Sequence, residues 1–343
     1  MISRLLRTHC IQFVDIKVPR VCDRGQGGYL RPDTGALDNA PWIAVARVMF
    51  ETFSRFDLDV GDAVIHGVTG GSGPPLLLLH GYPQTHCMWH RVAPALAARF
   101  TLVIPDLRGY GRSSKPPSDA NHTPYSKRAM AADMVAVMEK FGHERFQVGA
   151  HDRGARVAHR MALDWADRVE RLAVLDIAPT REMYQGTTDG FARAYWHWFF
   201  LIQKAPFPER MIGADPDSYW LKKCGSGSAG LSPFSDEALD DYLGAFRDEA
   251  TIHATCEDYR AGATIDIAHD DADGERKVAC PLLALWGANG AIEAHFDCLA
   301  LWRQRAEYVS GQALPGGHYL AEEVPALVVE HFLRFFSPGA VDE

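Results

Sequence analysis

Positive charge is in deficit along this chain: 35 Lys and Arg stand against 44 Asp and Glu, a formal charge of −9 over 343 residues. A surface of that sign repels phosphate backbones and anionic lipid, so neither nucleic acid nor a membrane is expected as a partner. An anionic ligand would need a local cluster of cations. Cysteine is sparse and unpatterned. The seven (Cys10, Cys22, Cys87, Cys224, Cys256, Cys280, Cys298) are odd in number and show no Cys-x-x-Cys or Cys/His ligand spacing. They read as free thiols in a reducing cytoplasm, not as a disulfide framework or metal site. No apolar run approaches the ~20 residues of a membrane span, no signal-peptide core with a small-residue cleavage site opens the chain, and there is no internal repeat or low-complexity tract. A soluble cytoplasmic protein is expected, its length suiting one large α/β domain with an inserted subdomain.

Residues 1–48 carry no sustained helical or strand period, and Gly25-Gln26-Gly27-Gly28 and Arg31-Pro32-Asp33-Thr34-Gly35 predict weak order there. The regular pattern opens at Met49, which is the expected natural start. Phe56 to Thr69 alternates around Gly61-Asp62 as an antiparallel hairpin does. Leu76–Leu79, Leu102–Ile104, Phe146–Val148 and Leu172–Leu175 are short continuous apolar runs, the texture of strands covered on both faces. Helical spacing separates them at Trp89–Arg99, Met130–Phe141 and Val157–Trp165, which predicts a doubly wound, mostly parallel α/β sheet. From about Thr180 to Glu275 the strand pattern stops and aromatic-rich helical patterns replace it. The sheet resumes at Pro281–Trp286, and an amphipathic helix closes the chain over Val324–Phe336. The expected organisation is an extension at 1–48, a core at 49–179, a helical cap at 180–275, and the rest of the core at 276–343.

Gln147-Val148-Gly149-Ala150-His151-Asp152-Arg153-Gly154 is an apolar strand entering a small-x-nucleophile-x-small turn and then a helix. So sharp an elbow tolerates only small residues two before and two after its nucleophile, and Ala150 and Gly154 meet that need. The slot holds Asp152 instead of serine. A carboxylate there can displace a leaving group from saturated carbon and form an ester that water cleaves; a plain helix N-cap is the alternative. His318, in Leu314-Pro315-Gly316-Gly317-His318-Tyr319, has the chain position of the base that activates water. His151 is expected to be structural. The turn Trp286-Gly287-Ala288-Asn289-Gly290 offers no carboxylate and Glu293 comes late, so Asp176, directly after a strand, is assigned to orient His318; a turn-capping aspartate is the alternative. The backbone N–H groups of Tyr82 and Arg153 are the expected oxyanion donors.

With His80-Gly81-Tyr82-Pro83-Gln84 and Asp106-Leu107-Arg108-Gly109-Tyr110-Gly111-Arg112-Ser113, and above all His151-Asp152-Arg153-Gly154-Ala155-Arg156, the chain from about Met49 onward resembles the haloacetate, or fluoroacetate, dehalogenases of the α/β-hydrolase fold. The first two motifs are shared with epoxide hydrolases and haloalkane dehalogenases; the third is more selective. Arg153 and Arg156 fall in one helical turn and suit a planar carboxylate. The resemblance implies that they bind the acid group of a small anionic haloacid, that His197, Trp198 and Tyr259 hold the departing halide, and that no metal or organic cofactor is needed. The structural alternative is that one of the two arginines forms an internal ion pair, a role expected instead of Arg160, one turn on. A homodimer is compatible with the family.

Two positions depart from the pattern. Tyr82 stands where the family commonly has Phe, adding a hydroxyl to the pocket. Gly225-Ser226-Gly227 stands where it has an aromatic residue, which enlarges or loosens the cap wall. The competing readings are an epoxide hydrolase with the same Asp/His/acid set, or a non-catalytic receptor on this fold. Arg153 directly after the nucleophile speaks against the first, and the intact Asp152, Asp176 and His318 set against the second.

Overall fold

The apolar runs pair into an eight-stranded sheet in the order β1-β2-β4-β3-β5-β6-β7-β8. The strands are β1 (Ser54–Asp59), β2 (Val64–Gly71), β3 (Pro75–Leu79), β4 (Thr101–Pro105), β5 (Phe146–His151), β6 (Val169–Leu175), β7 (Leu282–Gly287) and β8 (Val309–Leu314). The computed structural model describes residues 49–337 except 228, so the expected weak order of 1–48 lies outside the described residues. β1 and β2 form the hairpin, and β2 also meets β4 antiparallel, while β3 to β8 pair in parallel. Leu76, Leu77, Leu78 and Leu79 are fully buried, because a parallel strand with helices on both faces exposes neither side.

The chain leaves β3 to one side for β4 and returns on its other side for β5. That reversal of strand order opens a crevice at the carboxyl ends of β3 and β5, where α/β proteins place their ligands. The loop His80–Pro83 and the turn at Asp152 both lie there. The expected helix over Trp89–Arg99 is shorter than its spacing suggests: a single turn at His86–Trp89 precedes a helix limited to Ala93–Ala97. Pro94 explains this, since a residue without an N–H fits only the first turn of a helix. Between β6 and β7 the chain runs through helices, from Thr180–Gln185 to Ile265–Asp273, giving the inserted helical region. Among the described residues no helix is long and apolar enough to cross a membrane, and Cys87, Cys224, Cys256, Cys280 and Cys298 are free thiols.

Candidate active site

β5 delivers His151 in extended conformation, and the chain then turns so sharply that Asp152 takes φ +44° before the helix Asp152–Asp164 begins. An N-capping aspartate keeps extended φ and bonds a backbone N–H of the first turn; Asp152 does neither, so the capping alternative does not describe it. The turn closes because its flanks are small. A side chain at Gly154 would reach within 2.3 Å of the His80 carbonyl, and one at Gly81 within 2.5 Å of the Asp152 Cβ. The Tyr82 N–H donates to Asp152 Oδ1 at 3.0 Å. Burial works against the Asp152 anion, but His318, Lys223 and Arg156 together hold its carboxyl well below the usual range. It is ionised at neutral pH.

His318 follows β8 and its Nδ1–H donates to Asp176 Oδ2 at 2.5 Å, leaving Nε2 3.9 Å from Asp152 Oδ2. Asp176 follows β6 at φ +50° and accepts the Gly287 N–H at 2.9 Å on its other oxygen. At the end of β7 a side chain at Gly287 would come within 2.0 Å of the Gly317 carbonyl, so glycine stands where the backbone N–H approaches Asp176. Glu293 is engaged elsewhere, accepting from Trp286 Nε1. His151, expected to be structural, donates from Nε2 to the His318 carbonyl at 2.9 Å, and burial pulls its pKa down to about 3, so it stays neutral.

The two arginines occupy different environments. Arg153 is fully buried against Asp258, so the internal ion pair weighed as the alternative role for one of the two arginines occurs at Arg153. Arg160 forms its own with Asp164, Asp270 and Asp273. Arg156 has neutral partners: it donates to Thr180 Oγ1 at 2.9 Å, to the Ala178 carbonyl at 3.2 Å and to Met183 Sδ at 3.3 Å. Burial draws its pKa below the arginine norm, and Asp152 offsets this only in part. The Arg153 guanidinium lies 4.1 Å over the Tyr259 ring and that of Arg156 lies 4.7 Å over Trp198, while the two rings are 6.5 Å apart. Arg153 Nη1, Arg156 Nε, Trp198 Nε1 and the Tyr259 hydroxyl are buried without a hydrogen-bond partner. Buried donors ordinarily have acceptors. A cluster of orphaned donors carrying two cations suits an anion.

His197 stacks on Tyr82 with ring centres 6.2 Å apart, and burial, with Lys223 nearby, keeps it uncharged. The Tyr82 hydroxyl, expected to face the pocket, donates instead to the Tyr219 hydroxyl at 3.0 Å. A cavity of about 330 Å³ lies beside His197 and His318, lined also by residues including Tyr195, Lys223, Gly227 and Tyr319. A side chain at Gly227 would meet only the Cys224 carbonyl, at 3.8 Å, so the cap wall is open there. Lys223, which the sequence reading missed, donates to the Tyr319 hydroxyl at 3.0 Å and the Tyr82 carbonyl at 3.3 Å. Asp258 was missed too, although it sits beside Tyr259. Glu209, His253 and Glu257 bring potential metal ligands within 4.8 Å of one another, but Arg260 donates to both glutamates and places a cation there already.

Comparison with known proteins agrees with this geometry. A family profile described as the alpha/beta hydrolase fold matches residues 74–323. A fluoroacetate dehalogenase from Burkholderia sp is 49% identical over 83% of this chain and 95% of its own length. A soluble epoxide hydrolase from Corynebacterium sp. (strain C12) is 35% identical over 80% of this chain and 94% of its own. The crystal structure of ALR0039 from Nostoc sp PCC 7120 superposes with a TM-score of 0.82 at 53% identity, covering 84% of this chain and 99% of that one. Sheet order, elbow and relatives at this level of identity together place the chain in the α/β-hydrolase fold family and, within it, in the family of the fluoroacetate dehalogenase.

Proposed function

We propose that this protein hydrolyses the carbon–halogen bond of a small haloacid, converting a haloacetate to glycolate and halide through an ester on Asp152. The observation that carries the reading is the buried, ionised Asp152 beside four orphaned donors on Arg153, Arg156, Trp198 and Tyr259. The acid group of the substrate lies with the two arginines, the halogen with His197, Trp198 and Tyr259. Asp152 Oδ2 attacks the carbon, and the halide leaves with the bonding electron pair as those donors strengthen their hold on the growing charge. Oδ1, already held by the Tyr82 N–H, becomes the ester carbonyl oxygen. His318 Nε2 then takes a proton from water, hydroxide adds to that carbonyl, and the Tyr82 and Arg153 N–H groups steady the oxyanion. Asp176 stabilises the imidazolium. Collapse breaks the bond from Cγ to the substrate-bearing oxygen; the departing glycolate oxygen takes the proton back from His318, and the regenerated Asp152 carboxyl, which keeps one oxygen from water, gives its proton to solvent.

The test is halide and glycolate production from fluoroacetate and chloroacetate. The wild type is expected to form both in equal amounts and Asp152→Asn to form neither. Single turnover in heavy-oxygen water is expected to label the Asp152 side chain, and an unlabelled side chain after full turnover would sink the ester scheme. The described cysteines, all free thiols, support a reducing cytoplasm as its compartment.

A further inference from the structure

We propose that Asp258 is a positioning residue that aims the Arg153 guanidinium at the substrate's carboxylate, an inference resting on the reading of Arg153 as a carboxylate-binding residue. A guanidinium has five N–H bonds in a rigid fork. Three of those of Arg153 go to Asp258: Nε donates to Oδ2 at 2.9 Å, and Nη2 donates to Oδ1 at 2.8 Å and to the backbone carbonyl at 2.7 Å. The remaining two sit on Nη1, which is buried without a partner. Gripping one edge of a planar fork fixes where its other edge points.

Asp258 is itself held. It lies in the helix Glu249–Ala263 of the inserted region, and two groups from the core reach it: the Tyr110 hydroxyl donates to Oδ2 at 2.6 Å and the Lys127 ammonium pairs with Oδ1. Burial opposes its charge, yet Arg153 and Lys127 keep it ionised, well below the normal carboxylate range. Gly262, one turn along the same helix, makes room, since a side chain there would come within 2.9 Å of Arg153 Nη2. With its charge matched by Asp258, Arg153 contributes direction to substrate binding, whereas Arg156, hydrogen-bonded only to neutral groups among the described residues, contributes the unmatched positive charge.

A double-mutant cycle on chloroacetate turnover tests this, with competitive inhibition by acetate as a second readout. Asp258→Asn is expected to lower kcat/KM by on the order of 10²-fold, as misplacement of a binding group does, and to weaken acetate inhibition in parallel. In an Arg153→Gln background the same change is expected to cost no more than about twofold, because its effect passes through Arg153. Full, independent losses from the two changes would overturn the proposal while leaving Arg153 as a binding residue. A wild type that releases no halide, or an Arg153→Gln enzyme as active as wild type, would overturn the underlying reading and this proposal with it. If Asp258→Asn does not fold, Tyr110→Phe removes one donor to the same carboxylate. It is expected to give a loss of about threefold alone and none in the Arg153→Gln background; a loss of equal size in both backgrounds would overturn the proposal.

Discussion

Three described non-glycine residues have positive φ, and two of them are Asp152 and Asp176. Such backbone strain concentrates where side-chain direction matters more than local comfort. It turns Asp152 toward the Tyr82 N–H and Asp176 toward His318, with His318 Nε2 3.9 Å from Asp152 Oδ2, a gap that suits a water better than a direct bond. In the proposed mechanism, ester formation needs Asp152, while its cleavage needs His318. For His318→Ala we therefore expect at most one halide per active site, followed by arrest, with the intact protein heavier by one carboxymethyl group in mass spectrometry. Continued turnover without added mass would assign the base elsewhere. Asp152 and His318 were legible in the sequence because an elbow between small residues and a histidine after the last strand are local patterns. Asp258 was not. It lies 105 residues from Arg153, and no local pattern separates a carboxylate that grips a distant arginine from one that faces solvent.

At the scale of elements, the sheet was readable because buried parallel strands are continuous apolar runs, and the limits of the reading have equally physical causes. Pro94 shortened the helix expected after β3, and Gly287, the last residue of β7, lies too close to the Gly317 carbonyl for any side chain. The short helix Leu320–Glu323 after His318 shows what burial adds. Glu322 accepts from Gln84 Nε2 in the loop after β3 at 2.5 Å and from the Tyr242 hydroxyl in the helix Asp236–Phe246 at 3.0 Å. Burial raises its pKa to about 8 despite those two bonds. Between its ordinary value of 4.5 and about 8, the folded chain holds a proton that the unfolded chain has released, so this group's contribution to stability falls as pH rises. Glu322→Gln, which mimics the protonated form, is expected to flatten that decline. The measurement is Tm against pH for both proteins; parallel curves from about pH 5 to 9 would show that Glu322 does not titrate in this window.

Across the whole molecule, charge is arranged against its own average. A chain of net charge −9 buries the guanidinium groups of Arg153, Arg156 and Arg160. Arg160 ties the elbow helix to the inserted region through Asp270 and Asp273, both at 2.5 Å. Removing one member of a buried ion cluster leaves the others uncompensated, so Arg160→Met is expected to lower stability by roughly 3 kcal/mol. Denaturant unfolding would measure this, and a change below about 0.5 kcal/mol would mean the cluster is solvated in practice. The backbone at Asp152 bears on how such a molecule persists. Glycine would adopt that torsion freely and would spare the interior an anion, so selection for durability alone would discard the aspartate. In the proposed mechanism, the strained and buried carboxylate at the elbow is robustness given up for turnover.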